Sequence, residues 1–461
     1  MERFQTITPV DGSVYVEREF ATPTQIDEAL ALAQKAQTHW QDLPLETRQT
    51  LCHEAVKCFV SHQEAIAEEI TWMMGRPISQ TPGEIAGFVE RAMHMISIAP
   101  EALSPVYLPE KAGFTRYIKR VPLGTVFVVA PWNYPYLTSI NAIMPALLAG
   151  NTVILKHSAQ TPLCAERLFE AFREAGLPDG VFQYLHLTHA DTENVMQHES
   201  VRHVAFTGSV SGGKVVEQAI AGRFISAGLE LGGKDPAYIR HDANIQQAVE
   251  TVIDGAFFNS GQSCCGMERL YVHESVYDDV IDLSADLVRQ YQLGRPDDAS
   301  TNMGPLVRTA AADFVRGQVD EAIRQGAIGL IDARHFPQNQ LGSPYLAPQL
   351  LVDVDHSMRV MTEETFGPVL GIQKVKDDNE ALALMNDSEF GLTAALFTQD
   401  ITAGEHMADK VESGTVFLNR CDYLDPGLAW VGIKNSGRGC TLSQIGFEHL
   451  TRPKSFHIKH G

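Results

Sequence analysis

The chain of 461 residues is poor in basic side chains, in long apolar runs and in cysteine pairs at ligand spacing. Its 36 Lys and Arg against 57 Asp and Glu leave a formal charge of −21. A surface that neutralises phosphates needs the opposite surplus, which argues against nucleic acid or an anionic membrane as a partner. No apolar stretch approaches the roughly 18 residues of a membrane span. The opening "MERFQTITPVDGSVYVEREF" carries early acids and no apolar h-region, so no signal peptide is expected and a cytoplasmic location is. The seven cysteines are scattered, odd in number and free of CxxC spacing. That pattern fits free thiols in a reducing compartment, not a disulfide framework, and no metal site is expected.

What is present is ordinary globular composition, 44% hydrophobic, with length for two to four domains. The first hundred residues read mainly as amphipathic helices. "PTQIDEALALAQKAQTHWQDL" and "LETRQTLCHEAVKCFVSHQEAIAEEITWMM" have apolar residues at helical spacing until "GRP" (75–77) breaks the pattern, and both are expected to dock without chemistry of their own. From about residue 123, short β-branched runs ("TVFVVA", "NTVILK", "GVFQYLHL", "RHVAFTG") alternate with helical patterns. This predicts an α/β fold: a parallel, Rossmann-like sheet covered on both faces, with ligands beyond the carboxyl ends of its strands. Gly232–Gly233 reads as a hinge into a second α/β region. "SPVYLPEKAGFTRYIKRVPLG" (104–124) reads as a strand-like ribbon, either an intersubunit arm or a surface hairpin.

Two adjacent cysteines, Cys264 and Cys265, stand in the polar loop "FFNSGQSCCGMERLYV". Neighbouring cysteines rarely bond to each other, and metal ligands are normally spaced further apart. Three other segments fall at strand ends. In "PWNYP", Asn133 suits a helix N-cap, the simpler reading, or an oxyanion donor. In "LKHS", Lys156 either snorkels to water or binds a nucleotide. In "FTGSVSGG", glycines open a helix that can attract phosphate, although the spacing is not GxGxxG. Glu230, between leucines in "LELGGKDP", is expensive to bury; it is either ion-paired with a lysine or a general base of raised pKa.

In this order, "PWNYP", "LKHS", "FTGS", "LELGGKDP", "GQSCC", "EETFGPV" and "GIKNSG" resemble the NAD(P)-dependent aldehyde dehydrogenase superfamily, and the resemblance runs over nearly the whole chain, from "TPVDGSV" to "RPKSFHIK". The resemblance implies a cofactor-binding domain (1–103 and 123–231), a catalytic domain (232–446) and a small β oligomerisation element (104–122 and 447–461) in homodimers or homotetramers. It implies Cys264 as nucleophile, Glu230 as general base and Asn133 as oxyanion donor. Lys156, Gly208, Ser209, Gly213 and Trp132 would serve NAD or NADP, with Glu364 and Phe366 at the nicotinamide end. A free thiol is only about 3% thiolate at pH 7, so Cys264 needs a donor-rich loop or a base. The product would be a free carboxylic acid, reached through a cysteine thiohemiacetal and thioester; coenzyme A-acylating relatives commonly lack the equivalent of Glu230.

Three positions depart from the family pattern. Ala159 replaces the glutamate that many NAD-preferring members carry three residues after the strand-ending lysine. It permits NADP, with His157 and Ser158 as weak candidates for holding its 2′-phosphate. "AWVG" (429–432) replaces PFGG near the substrate entrance. Tyr134, Thr138 and Asn141, on one helix face, form with Ser263 and Cys265 a pocket that reads as moderately polar and uncharged. Succinate-semialdehyde members often have arginine at the Asn141 position, so this reading weakens a semialdehyde-specific assignment. A non-catalytic protein on the same fold is the remaining alternative.

Overall fold

The computed structural model describes residues 2–461. The β-branched runs form the expected parallel sheet, because each is apolar on both faces and lies between helices. Its order is Gly437–Arg438, Ser226–Glu230, Val201–Thr207, Thr125–Val129, Thr152–Lys156, Phe182–Tyr184. Only Gly437–Arg438 runs antiparallel, pairing Gly437 with Glu230. Strand order reverses between Thr125–Val129 and Val201–Thr207, which are parallel neighbours. The segments "PWN" and "GS" follow these two strands, so both open at the switch point where such sheets bind ligands.

The chain crosses at Gly232–Gly233 into a second, seven-stranded sheet. From Gln349–Val352 through Val369–Val375, Met267–His273, Asp235–Ile239 and Thr393–Phe397 to Thr415–Leu418 its pairings are parallel. The ribbon Val106–Tyr107 and Phe114–Pro122 joins the C-terminal strand Thr451–Lys459 in a separate antiparallel sheet. Its C-terminal strand is largely exposed and Phe114–Pro122 half-buried, and the two carry aromatic pairs such as Tyr117 stacked on Phe456 at 4.6 Å.

Near the N-terminus, strands Arg3–Ile7 and Val14–Glu19 pair through the turn at "TPVDGS", an element the helical reading passed over. The long segment after Pro44 is two helices, Leu45–Ser61 and Gln63–Met74, broken at His62. A further helix, Thr81–Ala102, packs along Pro135–Leu148. Among the described residues no helix is long and apolar enough to cross a membrane. All seven cysteines are unpaired, and among the described residues no cluster of His, Cys, Asp and Glu is arranged to hold a metal.

Candidate active site

The loop bearing Cys264 is made by unusual backbone. Helix Ile245–Phe257 ends in a turn where Asn259, Ser260 and Gly261 all adopt positive φ, 53°, 56° and 72°. Serine pays a steric cost in that region. The turn persists because tertiary contacts hold it from several sides. Asn259 Oδ1 accepts from Arg76 Nε at 3.1 Å, and its Nδ2 donates to the carbonyls of Gln262 and Asn133. Gln262 donates back to Asn259 O and accepts the N–H of Val307. Cys264 emerges partly exposed, while Ser263 and Cys265 are buried beside it.

Asn133 does not cap the following helix. The N-cap position is Tyr134, without a side-chain hydrogen bond, and the cap comes from another helix: Glu84 Oε1 accepts the N–H groups of Tyr136 and Leu137, each at 2.9 Å. Glu84 Oε2 is paired with Arg76 Nη1 at 2.6 Å, both side chains being sealed from solvent. Arg76 also donates to the carbonyl of Asn133 and lies over the Tyr134 ring at 4.5 Å. The Asn133 amide is therefore released toward the Cys264 loop, where Nδ2 donates to Gln262 O at 3.3 Å.

Glu230 ends its strand without a lysine partner. Its carboxylate accepts from Thr207 Oγ1 at 3.1 Å and from Thr441 Oγ1. Burial raises its pKa, against the pull of those hydroxyls and the Arg91 charge. Gly437, at φ 120°, lets the antiparallel strand come close enough to deliver Thr441, since any Cβ there would collide with the Leu229 carbonyl.

Two cavities meet here. One, of about 600 Å³, is lined by Tyr134, Thr138, Asn141, Ser263, Cys265, Asp422 and Trp430 among others. The other, of about 180 Å³, is lined by Trp132, Asn133, Gly208, Ser209, Glu364 and Phe366. Cys264 and Glu230 are the two residues that line both. Trp132 and Phe366 stand edge to face at 5.6 Å across the smaller one. Phe366 itself has positive φ, 53°, in a loop held by Glu268, which accepts the N–H groups of Thr365 and Phe366 and pairs with buried Lys234 at 2.5 Å. Glu364 accepts the Gly233 N–H at 3.1 Å, and burial beside Glu268 pushes its carboxyl up to about 7.

Lys156 and Gly213 lie outside both cavities. Lys156 is mostly covered, and desolvation lowers its pKa. Gly213 lets its helix sit on Leu231; a Cβ would come within 2.8 Å of that side chain. His157 cannot serve a phosphate: it is buried between Pro135 O and Thr161, and burial drives its pKa down to about 4, leaving it neutral.

The reading of an uncharged pocket is overturned. Arg76, Glu84, Arg91, Asp254 and Asp422 line the larger cavity. Arg91 donates to the Leu137 carbonyl at 2.8 Å and to Asn141 Oδ1 at 3.2 Å. The cation absent from position 141 thus arrives from the neighbouring helix. No local motif marks it; the only available signal was an arginine inside an apolar-periodic helix. Thr138 spends its hydroxyl on the Tyr134 carbonyl at 2.8 Å, a local bond.

Two cavities meeting at a thiol and a carboxylate, beyond the carboxyl ends of a parallel sheet, have the layout of an oxidoreductase that presents a substrate to a nucleotide. The chain belongs to the aldehyde dehydrogenase family, whose family model matches residues 1–456. It is 32% identical to a succinate-semialdehyde dehydrogenase [NADP(+)] of Deinococcus radiodurans over 98% of this chain and 94% of that one. It is 31% identical to betaine aldehyde dehydrogenase 1 of Rhizobium meliloti over 99% and 94%. The solved NADP-dependent glyceraldehyde-3-phosphate dehydrogenase of Bacillus halodurans, complexed with NADP, superposes with a TM-score of 0.94 at 29% identity, covering 100% of this chain and 96% of that one. The chain is accordingly an aldehyde dehydrogenase.

Proposed function

We propose that this enzyme oxidises an aldehyde to the free carboxylic acid with NAD or NADP, using Cys264 as nucleophile, Asn133 as oxyanion donor and Glu230 as general base. The observation that carries the reading is that Cys264 and Glu230 alone line both cavities. A thiol there can bond to a carbonyl carbon in the larger cavity while remaining open to a redox partner in the smaller one.

The smaller cavity suits the nicotinamide end of a dinucleotide. The helix Val210–Ile220 starts at its edge with Ser209 as N-cap, a favourable end for phosphate. A Cβ at Gly232 would collide with the Glu364 carboxyl, so that glycine preserves the place of a ribose-binding group. When bound, the nicotinamide supplies the hydride acceptor. Gly208, Ser209, Glu364, Phe366 and Trp132 would hold it from this pocket, with Lys156 at the end of the neighbouring strand and Gly213 seating its helix on Leu231 behind.

The protein's own steps follow from the geometry. Cys264, reacting as the thiolate, bonds through Sγ to the aldehyde carbon as the carbonyl π bond opens, and the Asn133 amide donates to the oxygen as it takes up the charge. Loss of one such donor costs on the order of 3 kcal/mol of barrier. After oxidation to the thioester, Glu230 takes a proton from water, which attacks the acyl carbon and releases the acid and the thiol. Its raised pKa makes it a stronger base than an exposed carboxylate. The boundaries 1–103 with 123–231, 232–446, and 104–122 with 447–461 are proposed as cofactor, catalytic and oligomerisation units. The exposed ribbon, with Val106, Tyr107 and Ile458 on its surface, supports a homodimer or homotetramer. Seven unpaired thiols accord with a cytoplasmic location.

The test is rapid-mixing kinetics on Glu230→Gln and Cys264→Ala with an aldehyde panel. The first variant keeps a burst of NAD(P)H and loses steady-state turnover by 100-fold or more, on the order expected for a general base. The second loses both. A burst that falls in proportion to turnover removes Glu230 from deacylation, and normal turnover by Cys264→Ala removes the nucleophile.

A further inference from the structure

Arg91 is 8% exposed, yet no carboxylate among the described residues lies within ion-pair distance of it. Its Nη1 is used on the Leu137 carbonyl and Asn141 Oδ1, while Nε and Nη2 have no protein partner and the side chain lines the larger cavity. Burying an unpaired guanidinium is costly, and guanidinium donors are arranged to match a carboxylate in two parallel bonds.

The cavity's acids do not supply that partner. Glu84 is committed to Arg76 and to two backbone N–H groups. Asp422 receives the Cys265 thiol at 3.0 Å and the Ser263 hydroxyl at 3.4 Å. Glu230 is held by Thr207 and Thr441. Glu90, which accepts from Tyr423 at 2.6 Å, and Asp254 are exposed at the rim, where water and salt screen them. The interior retains one unmatched positive charge beside the proposed nucleophile.

We propose that Arg91 receives a carboxylate at the far end of the substrate, so that the preferred aldehydes are ω-oxo carboxylates. This rests on the proposed function and narrows its substrate class. The cation that fixes specificity comes from the Thr81–Ala102 helix and is aimed by Asn141, instead of replacing Asn141.

The experiment compares 4-oxobutanoate, the neutral butanal and the cationic betaine aldehyde on the wild type, Arg91→Met and Arg91→Lys. The wild type is expected to show at least a tenfold higher kcat/KM for 4-oxobutanoate than for butanal. Arg91→Met collapses that ratio at least tenfold, through KM, and Arg91→Lys restores part of it. Competition against butanal on the unmodified enzyme needs no variant: butanoate inhibits, and butanamide does not. A wild type that prefers butanal or betaine aldehyde, or equal losses on both aldehydes in Arg91→Met, or equal inhibition by acid and amide, overturns the proposal and leaves the aldehyde dehydrogenase reading intact. Wild-type enzyme that oxidises none of the three with either nucleotide sinks the proposed function itself.

Discussion

The Cys265 thiol donates to Asp422 Oδ1 at 3.0 Å, and Ser263 Oγ lies 3.4 Å from the same oxygen. Hydrogen bonding with Cys264, together with burial and the Asp422 charge, drives the Cys265 pKa well up. The two adjacent cysteines are thereby made chemically unlike. Cys265 is a protonated wall of the larger cavity, and Cys264 is the thiol left at the junction. Alkylation by iodoacetamide, read by peptide mass, is expected at Cys264 first. Cys265→Ser should keep turnover within about threefold, a cost comparable to one neutral hydrogen bond. Selective labelling of Cys265 would reverse the assignment.

Asp422 gives a pH signature. Burial pushes its carboxyl up to about 7, so the protonated form is the one the fold favours. A raised folded pKa contributes stability that is full below the unfolded value, near 4, and lost as pH rises through about 7. Relative to Asp422→Asn, the wild type should therefore lose on the order of 4 kcal/mol between pH 4 and pH 7 and then level off. Urea midpoints of the two proteins across this range measure it. A constant difference would show that Asp422 is ionised throughout.

The Arg76–Glu84 pair is expected to matter more for stability than any surface ion pair. Both side chains are sealed, and Glu84 also caps the helix that begins at Pro135. Glu84→Gln leaves the Arg76 charge uncompensated and should cost about 3–5 kcal/mol. Removing the exposed Arg3, paired with Glu17 across the N-terminal hairpin, should leave the urea midpoint unmoved. Glu84→Gln should also slow acylation, because Arg76 holds the Asn133 carbonyl. An unchanged midpoint would show that the pair is replaceable.

Cofactor choice is testable at Ala159, which is exposed in the loop after Lys156, its carbonyl held by Thr6 at 2.8 Å. A carboxylate placed there repels a 2′-phosphate and can bind a ribose hydroxyl instead. Ala159→Glu is expected to lower kcat/KM for NADP at least tenfold while that for NAD holds or rises. Equal effects on both nucleotides would place the adenosine ribose elsewhere.

The chemistry-bearing motifs were legible because each is local. A strand that ends in "PWN" or "LELGG", and a loop that reads "NSGQSCC", carry their turn chemistry in adjacent residues. Strand periodicity and the right-handed crossover rule then bring those ends to one edge of a sheet. The charge of the substrate cavity was decided only by tertiary packing. Arg91 and Glu84 stand on a helix whose amphipathic pattern is indistinguishable from that of any docking helix, and Asn133 looked like a cap until Glu84 took that task. Which side chain satisfies a buried polar group depends on which elements pack together, and hydrogen-bond partners more than a hundred residues apart, such as Asn133 and Gln262, leave no spacing to read. Sequence by itself determined the reaction class, and its motifs nominated the thiol, carboxylate and amide proposed for it. The fold decided that Cys265 is spent on Asp422, that Glu230 rests on two threonines, and that Arg91 lines the larger cavity without a carboxylate partner.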